Sequence, residues 1–251
     1  MGNIDLNCDL GEGFEAHEKK RDEDVLQYVT SANIACGFHA GDAGTMQTTV
    51  RLAKERNVAI GAHPGLPDFE GFGRREMHIT PERAYALTIY QTGALQAFAE
   101  AAGTRIRHVK PHGALYTMAA KDPELARAIA EAVWDVKGDM LLYGLAGSEL
   151  IKAGEKVGLN VVSEVFADRV YQADGTLKSR QEHGAVITDR AQAMEQVRDM
   201  VLHKKVKTIA GTYIDIEADS ICVHGDNEEA VHFARSIREF LMRENIALKS
   251  P

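Results

Sequence analysis

Carboxylates, imidazoles and one lysine recur in this 251-residue chain wherever an apolar run gives way to a turn. Residues 3–9, NIDLNCD, place Asp5, Asn7 and Asp9 on one face of a strand and Ile4, Leu6 and Cys8 on the other. Two carboxylates that close on one face can bind a cation or share a proton. Residues 31–42, SANIACGFHAGD, present His39 at the end of a small, polar face carrying Asn33, with Asp42 placed to cap a following helix. His63 stands just past VAIGA, and the glycine-rich loop after it carries Arg74 and Arg75, a pair suited to a carboxylate or phosphate. IRHVKPHGALY aligns His108, Lys110 and His112, a pattern that suits neither a packed core nor an ordinary solvated face. NVVSEVFADRVY aligns Glu164 with Asp168 and adds Arg169, and SICVHGD aligns Cys222, His224 and Asp226.

These groups need a scaffold that brings strand ends together. Helical spacing or capping signals predict helices over residues 22–30, 42–56, 122–138 and 189–203. Others run from a Thr80 cap to Gly103, from a Ser148 cap through ELIKAGEKVG, and at the end to about residue 245. Residues 13–24 read as a polar loop, and KVKTIAGTYIDIEAD as a β-hairpin decorating the last part of the fold. Strand, polar end and helix repeat in that order, which implies an α/β fold with a parallel sheet. Polar groups at so many strand ends favour a closed (β/α) barrel, in which those ends meet at one mouth. With no linker or tandem repeat, residues 1–251 read as a single domain.

Composition narrows the function. A formal net charge of -8 without a basic run argues against nucleic acid or an anionic membrane as partner. No apolar run is long enough to span a bilayer, and the start of the chain lacks a secretory pattern. Cys8, Cys36 and Cys222 are odd in number and contain no CxxC, so they are expected as buried thiols in a reducing cytoplasm.

DLNCDLGE, SANIACGFHAGD, AHPGLPDFEGFGRREM, VKPHGALY, EVFADRVY and SICVHGD, in this order, resemble the LamB/YcsF family over nearly the whole chain. The resemblance implies a barrel related to the glycoside hydrolase/deacetylase fold. It also implies ATP-coupled opening of the 5-oxoproline lactam to L-glutamate, with two other subunits as partners and ATP as co-substrate. A five-membered lactam is a stable amide, and phosphorylating its oxygen would make the carbon electrophilic. Hydrolysis then needs a base, for which Asp9 and Asp168 are candidates, and a charge at oxygen, for which Lys110 is suited. His112 joins this catalytic set. Arg75 or Arg169 would hold the substrate carboxylate, with Asp5, Asn7, His39, His63, Glu164 and His224 as further substrate contacts. The chain has no GxxxxGK[ST] loop, so phosphates bound here would need another site, such as the helix start at residues 41–44. No dedicated metal site is assigned, and magnesium is expected only with ATP. One alternative is a divalent-metal deacetylase using Asp9, His39, His63, His112 and His224. Another is a non-catalytic subunit that binds substrate or nucleotide, and self-association stays open.

Overall fold

The computed structural model describes residues 3–13, 16–224 and 230–251. In chain order the elements are β1 (Asn3–Leu10), α1 (Ala16–Val25), β2 (Ser31–Ala35), α2 (Ala43–Glu55), β3 (Ala59–His63) and α3 (Pro81–Ala101). Next come β4 (Ile106–Val109), α4 (Gly113–Ala119), α5 (Pro123–Val136), β5 (Leu141–Leu145), α6 (Glu149–Val157) and β6 (Asn160–Phe166). The chain closes with α7 (Arg190–Arg198), β7 (Lys205–Lys207), β8 (Tyr213–Asp215), β9 (Ser220–His224), α8 (Ala230–Arg243) and β10 (Ala247–Leu248). Among the described residues, seven strands form a closed parallel barrel in the order β1, β2, β3, β4, β5, β6, β9, and β9 returns to β1. Strands β7 and β8 form the expected antiparallel hairpin, and β10 adds to the start of β1.

The helices begin where side chains can bind free backbone amides. Asp42 accepts from Thr45 N at 2.7 Å, and Asp122, Ser148 and Asp189 cap α5, α6 and α7 in the same way. Thr80 precedes Pro81, which sits in the first turn of α3. Four details depart from the sequence pattern. Residues 16–25 are helical, not a loop, and α1 ends before the segment 26–30 where a helix was expected. β2 stops at Ala35, so His39 sits on the following turn instead of a strand face. β4 stops at Val109, and His112 becomes the residue before α4, a helix absent from the sequence reading. β6 stops at Phe166, which takes Asp168 and Arg169 off the strand.

Alternation sorts the strands into two environments. Ile4, Leu6, Cys8 and Leu10 join Ile34, Val109, Leu142, Val165, Ile221 and the inner helix faces in one apolar cluster. The opposite residues turn inward, and the barrel interior is polar. Asp5 accepts from Thr30 Oγ1 (2.6 Å), Ser31 Oγ (2.7 Å), Tyr143 OH (3.0 Å) and Ser220 Oγ (2.5 Å). Asn7 donates to Ser220 Oγ at 2.7 Å and to Glu164 at 2.9 Å, one level higher.

The three cysteines are free and buried. Burial pushes all three thiols up, Cys36 to about 12. The thiolate is the reactive form, so the native chain at pH 8 should leave all three unlabelled by a thiol reagent over minutes and yield three on unfolding. Rapid native labelling of even one would contradict the burial. No helix among the described residues is long and apolar enough to cross a membrane.

Candidate active site

At the mouth of the barrel two clusters share one cleft. The deeper one centres on Lys110, whose Nζ lies 2.8 Å from Glu164 Oε1, 2.9 Å from Asp9 Oδ1 and 3.2 Å from Asn7 Oδ1. The lysine is 2% exposed. Burial works against its charge, but the Asp9 and Glu164 carboxylates outweigh burial and hold it well above its ordinary value. With Cys222 Sγ at 3.1 Å, those oxygens occupy all three protons of the ammonium. Lys110 therefore serves as a fixed charge clamping two carboxylates, and an oxyanion would have to displace one of them.

Asp9 is oriented from two sides. Its Oδ1 accepts from Lys110 and from Asn33 Nδ2 at 2.8 Å, while Oδ2 faces His63 Nε2 at 3.4 Å. The Asn33 amide is itself fixed. His108 Nε2 lies 2.7 Å from Asn33 Oδ1, and the second amide hydrogen goes to Asn7 Oδ1 at 2.7 Å. Burial, with Lys110 nearby, pushes the His108 imidazole down to about 3, so it stays neutral. Its ring fills the space over Gly61, where any Cβ would overlap it. Tyr116, on α4, completes the network with a hydrogen bond from its hydroxyl to Glu164 Oε2 at 2.7 Å.

The second cluster is Glu12, His39, His63 and His112, whose ligand-type atoms all lie within 4.8 Å of one another. His63 Nδ1 is 2.7 Å from the Lys110 carbonyl, and His112 Nε2 is 2.8 Å from the Phe72 carbonyl. A carbonyl only accepts, so both of these ring nitrogens are donors. In the neutral rings, His63 Nε2 and His112 Nδ1 then carry lone pairs, and they face each other at 3.0 Å. Glu12 Oε1 lies 3.3 Å from His39 Nε2 and 3.4 Å from His112 Nδ1. The His39 and His112 rings stack at 3.7 Å. Burial lowers the values of His39 and, further, His112, so neutral imidazoles are favoured. This donor set fits a divalent cation.

The outer wall of the cleft is cationic. Arg74, Arg169 and Arg180 line it with Thr117 and Leu177. Arg169 is held by the Lys178 carbonyl at 2.6 Å, and burial, reinforced by the neighbouring Arg180 charge, pulls it down to about 10. Negative carboxylates at the floor and guanidinium groups at the wall suit a small substrate with an anionic end.

The structure thus brings Asp9, Asn7, His39, His63, Lys110, His112, Glu164 and Arg169 to one region and leaves others out. Asp5 lies at the lower level of the barrel interior, saturated by four hydroxyls and outside the cleft lining. Arg75 is bound by Asp68, with Nε 3.0 Å from both carboxylate oxygens, and its side chain is 58% exposed. Arg74, its neighbour, takes the place in the cleft. Asp168 is half-buried and off the lining, so Asp9 is the better-placed base. At the residue 41–44 helix start, the Asp42 carboxylate already caps the free amide, which disfavours a phosphate there. The His224 side chain and Asp226 lie outside the described residues. Sequence reasoning missed Glu12, Tyr116 and Arg180. Glu12 had a signal in the acid-rich run DLGE at the end of β1.

Known proteins resemble this chain over its full length. The model of the LamB/YcsF family matches residues 4–251. The chain is 55% identical over 250 residues to a 5-oxoprolinase subunit from Bacillus licheniformis, covering 100% of this chain and 99% of that one. It is similar to the crystal structure of a lactam utilization protein from Thermus thermophilus, with a TM-score of 0.90 and 43% identity over 99% of this chain and 100% of that chain. A deacetylase designated T48, at TM-score 0.50 and 13% identity over 98% of this chain and 87% of that chain, shares the fold alone.

Proposed function

The chain belongs to the LamB/YcsF family, and from that membership and the cleft we propose that it is the lactam-opening subunit of an ATP-dependent 5-oxoprolinase. The observation that carries this is the full-length identity of about half or more to chains named as 5-oxoprolinase subunits. The reaction converts 5-oxoproline, ATP and water to L-glutamate, ADP and phosphate, with two partner subunits. The chain has no GxxxxGK[ST] loop and Asp42 already caps the residue 41–44 helix start, which supports a nucleotide site supplied in large part by the partners.

In the cleft, Arg169, Arg74 and Arg180 would receive the substrate carboxylate and any phosphoryl group on the lactam oxygen. Asp9 takes a proton from the attacking water through Oδ2, since Oδ1 is engaged by Asn33 and Lys110. Water adds to the activated carbon, the ring C–N bond breaks as nitrogen gains a proton to leave an acyl phosphate, and a second water attacks that acyl carbon to release phosphate and glutamate. A divalent ion held by the Glu12 and histidine cluster would add positive charge beside that carbon.

Reconstitution tests the assignment. ATP-dependent glutamate release should be robust with both partner subunits and poor from this chain alone. Full activity from the isolated chain would refute a subunit role, and a reconstituted complex inert toward 5-oxoproline would refute the substrate.

A further inference from the structure

We propose that Glu12, His39, His63 and His112 bind one divalent transition-metal ion of the zinc class, held by this chain independently of any nucleotide.

The geometry of the two best-fixed imidazoles carries the proposal. Each commits its outer nitrogen to a backbone carbonyl, His63 to Lys110 and His112 to Phe72. Such bonds fix tautomer and ring direction in histidines that ligate metals. The inner nitrogens then point at each other across 3.0 Å, where two lone pairs repel unless a positive charge lies near both. With metal–nitrogen bonds of about 2.0–2.1 Å, two ligands of one ion stand roughly 3 Å apart. Glu12 repeats that spacing, at 3.3 Å from His39 and 3.4 Å from His112. It also lies 4.0 Å from His63. A shared proton is the competing account of the His63–His112 contact and a hydrogen bond that of the His39–Glu12 contact; His39 and His112 stack in parallel, so one of these rings turns when both ligate one ion.

Ligand chemistry selects the ion. Three imidazoles with one carboxylate suit zinc, cobalt, nickel or iron, whereas magnesium prefers oxygen ligands and retains water. Glu12, His63 and His112 line the cleft, so an ion can enter from solvent. At the cleft floor Asp9 and Glu164 already pair with Lys110, which leaves Glu12, beside His39 and His112, as the carboxylate of the cluster. The ligands come from the segments after β1 and β2, the end of β3 and the residue before α4, so a bound ion would tie four parts of the mouth together.

The proposal deepens the hydrolytic assignment, yet binding can be read without substrate. The chain, stripped with a chelator and exchanged into metal-free buffer, is titrated with zinc chloride and with magnesium chloride by calorimetry. Cobalt(II) chloride is added separately and followed by visible absorption. One equivalent of zinc should bind at micromolar affinity or tighter and raise the melting temperature. Magnesium should not saturate the site, and cobalt should give ligand-field bands of a nitrogen-rich site. Glu12→Gln and His112→Ala, checked for folding by circular dichroism, should weaken zinc at least tenfold, while the surface variant His203→Ala should not. Absence of saturable zinc and cobalt binding overturns the proposal. So does zinc binding unchanged in folded Glu12→Gln and His112→Ala. A chain that binds no zinc or cobalt while its complex turns over 5-oxoproline removes the metal site and leaves the substrate assignment standing. Metal binding by a chain whose complex ignores 5-oxoproline does the reverse.

Discussion

Lys110→Met, assayed in the assembled complex, should lower 5-oxoproline turnover by about a hundredfold or more, a loss of the size expected when the group that holds a catalytic base in place is removed. The same substitution should also destabilise the chain. Lys110 is buried between Asp9 and Glu164, and removing one member of such a group strands the others, at a cost of about 3–5 kcal/mol. The two effects are separable. Adding Glu164→Gln removes one stranded carboxylate, so the double variant should regain part of the lost melting temperature and none of the lost turnover. Turnover and melting temperature measured on wild type, single and double variants decide the matter. A folded Lys110→Met chain with near-normal turnover ends the catalytic assignment.

Asp5→Ala should give the opposite pattern. Asp5 is nearly inaccessible, and burial raises its carboxyl from its ordinary value despite four hydroxyl donors. Deleting it leaves Thr30, Ser31, Tyr143 and Ser220 without their shared acceptor. Stranded hydroxyls of this kind cost about 1–3 kcal/mol each where water cannot reach them. A net loss of about 3 kcal/mol would lower the melting temperature by roughly 6–12 °C in a chain of this size. Turnover per folded molecule should stay within about twofold, because Asp5 touches no reacting group. A tenfold fall in turnover with an unchanged melting curve would return Asp5 to the substrate site.

That contrast shows what the sequence could and could not convey. Alternation in NIDLNCD correctly separates Asp5, Asn7 and Asp9 from the apolar face, because side-chain direction along a strand has period two. It does not encode depth along the barrel. Asp5 at the lower level meets hydroxyls, whereas Asp9, four residues on, meets the cleft. The barrel itself was legible from the repeated order of strand, polar end and helix. His39 and His112 were legible as polar residues near strand ends, but the alternating pattern runs past both strands: Gly37 before His39 and Pro111 before His112 mark the earlier breaks. Arg74 and Arg75 are indistinguishable in sequence, and only the loop that brings Asp68 against Arg75 tells them apart. Helix α4 was hidden by its length of 7 residues.

The return of β9 to β1 has a consequence for how the chain must fold. The Ser220–Asp5 hydrogen bond joins residues 215 apart, so the last seam of the barrel closes only after most of the chain is in place. Contacts this distant in sequence are slow to form, because chain entropy is lost before they are rewarded. Open parallel strands would ordinarily invite association with other chains during the wait. Here the inner wall of the unfinished barrel displays Asp5, Asn7, Asn33, Lys110 and Glu164, which water can solvate. The polar interior that later orients Asp9 therefore also makes the waiting intermediate hydrophilic on its open side, and closure replaces that water with the hydrogen bonds of the finished barrel.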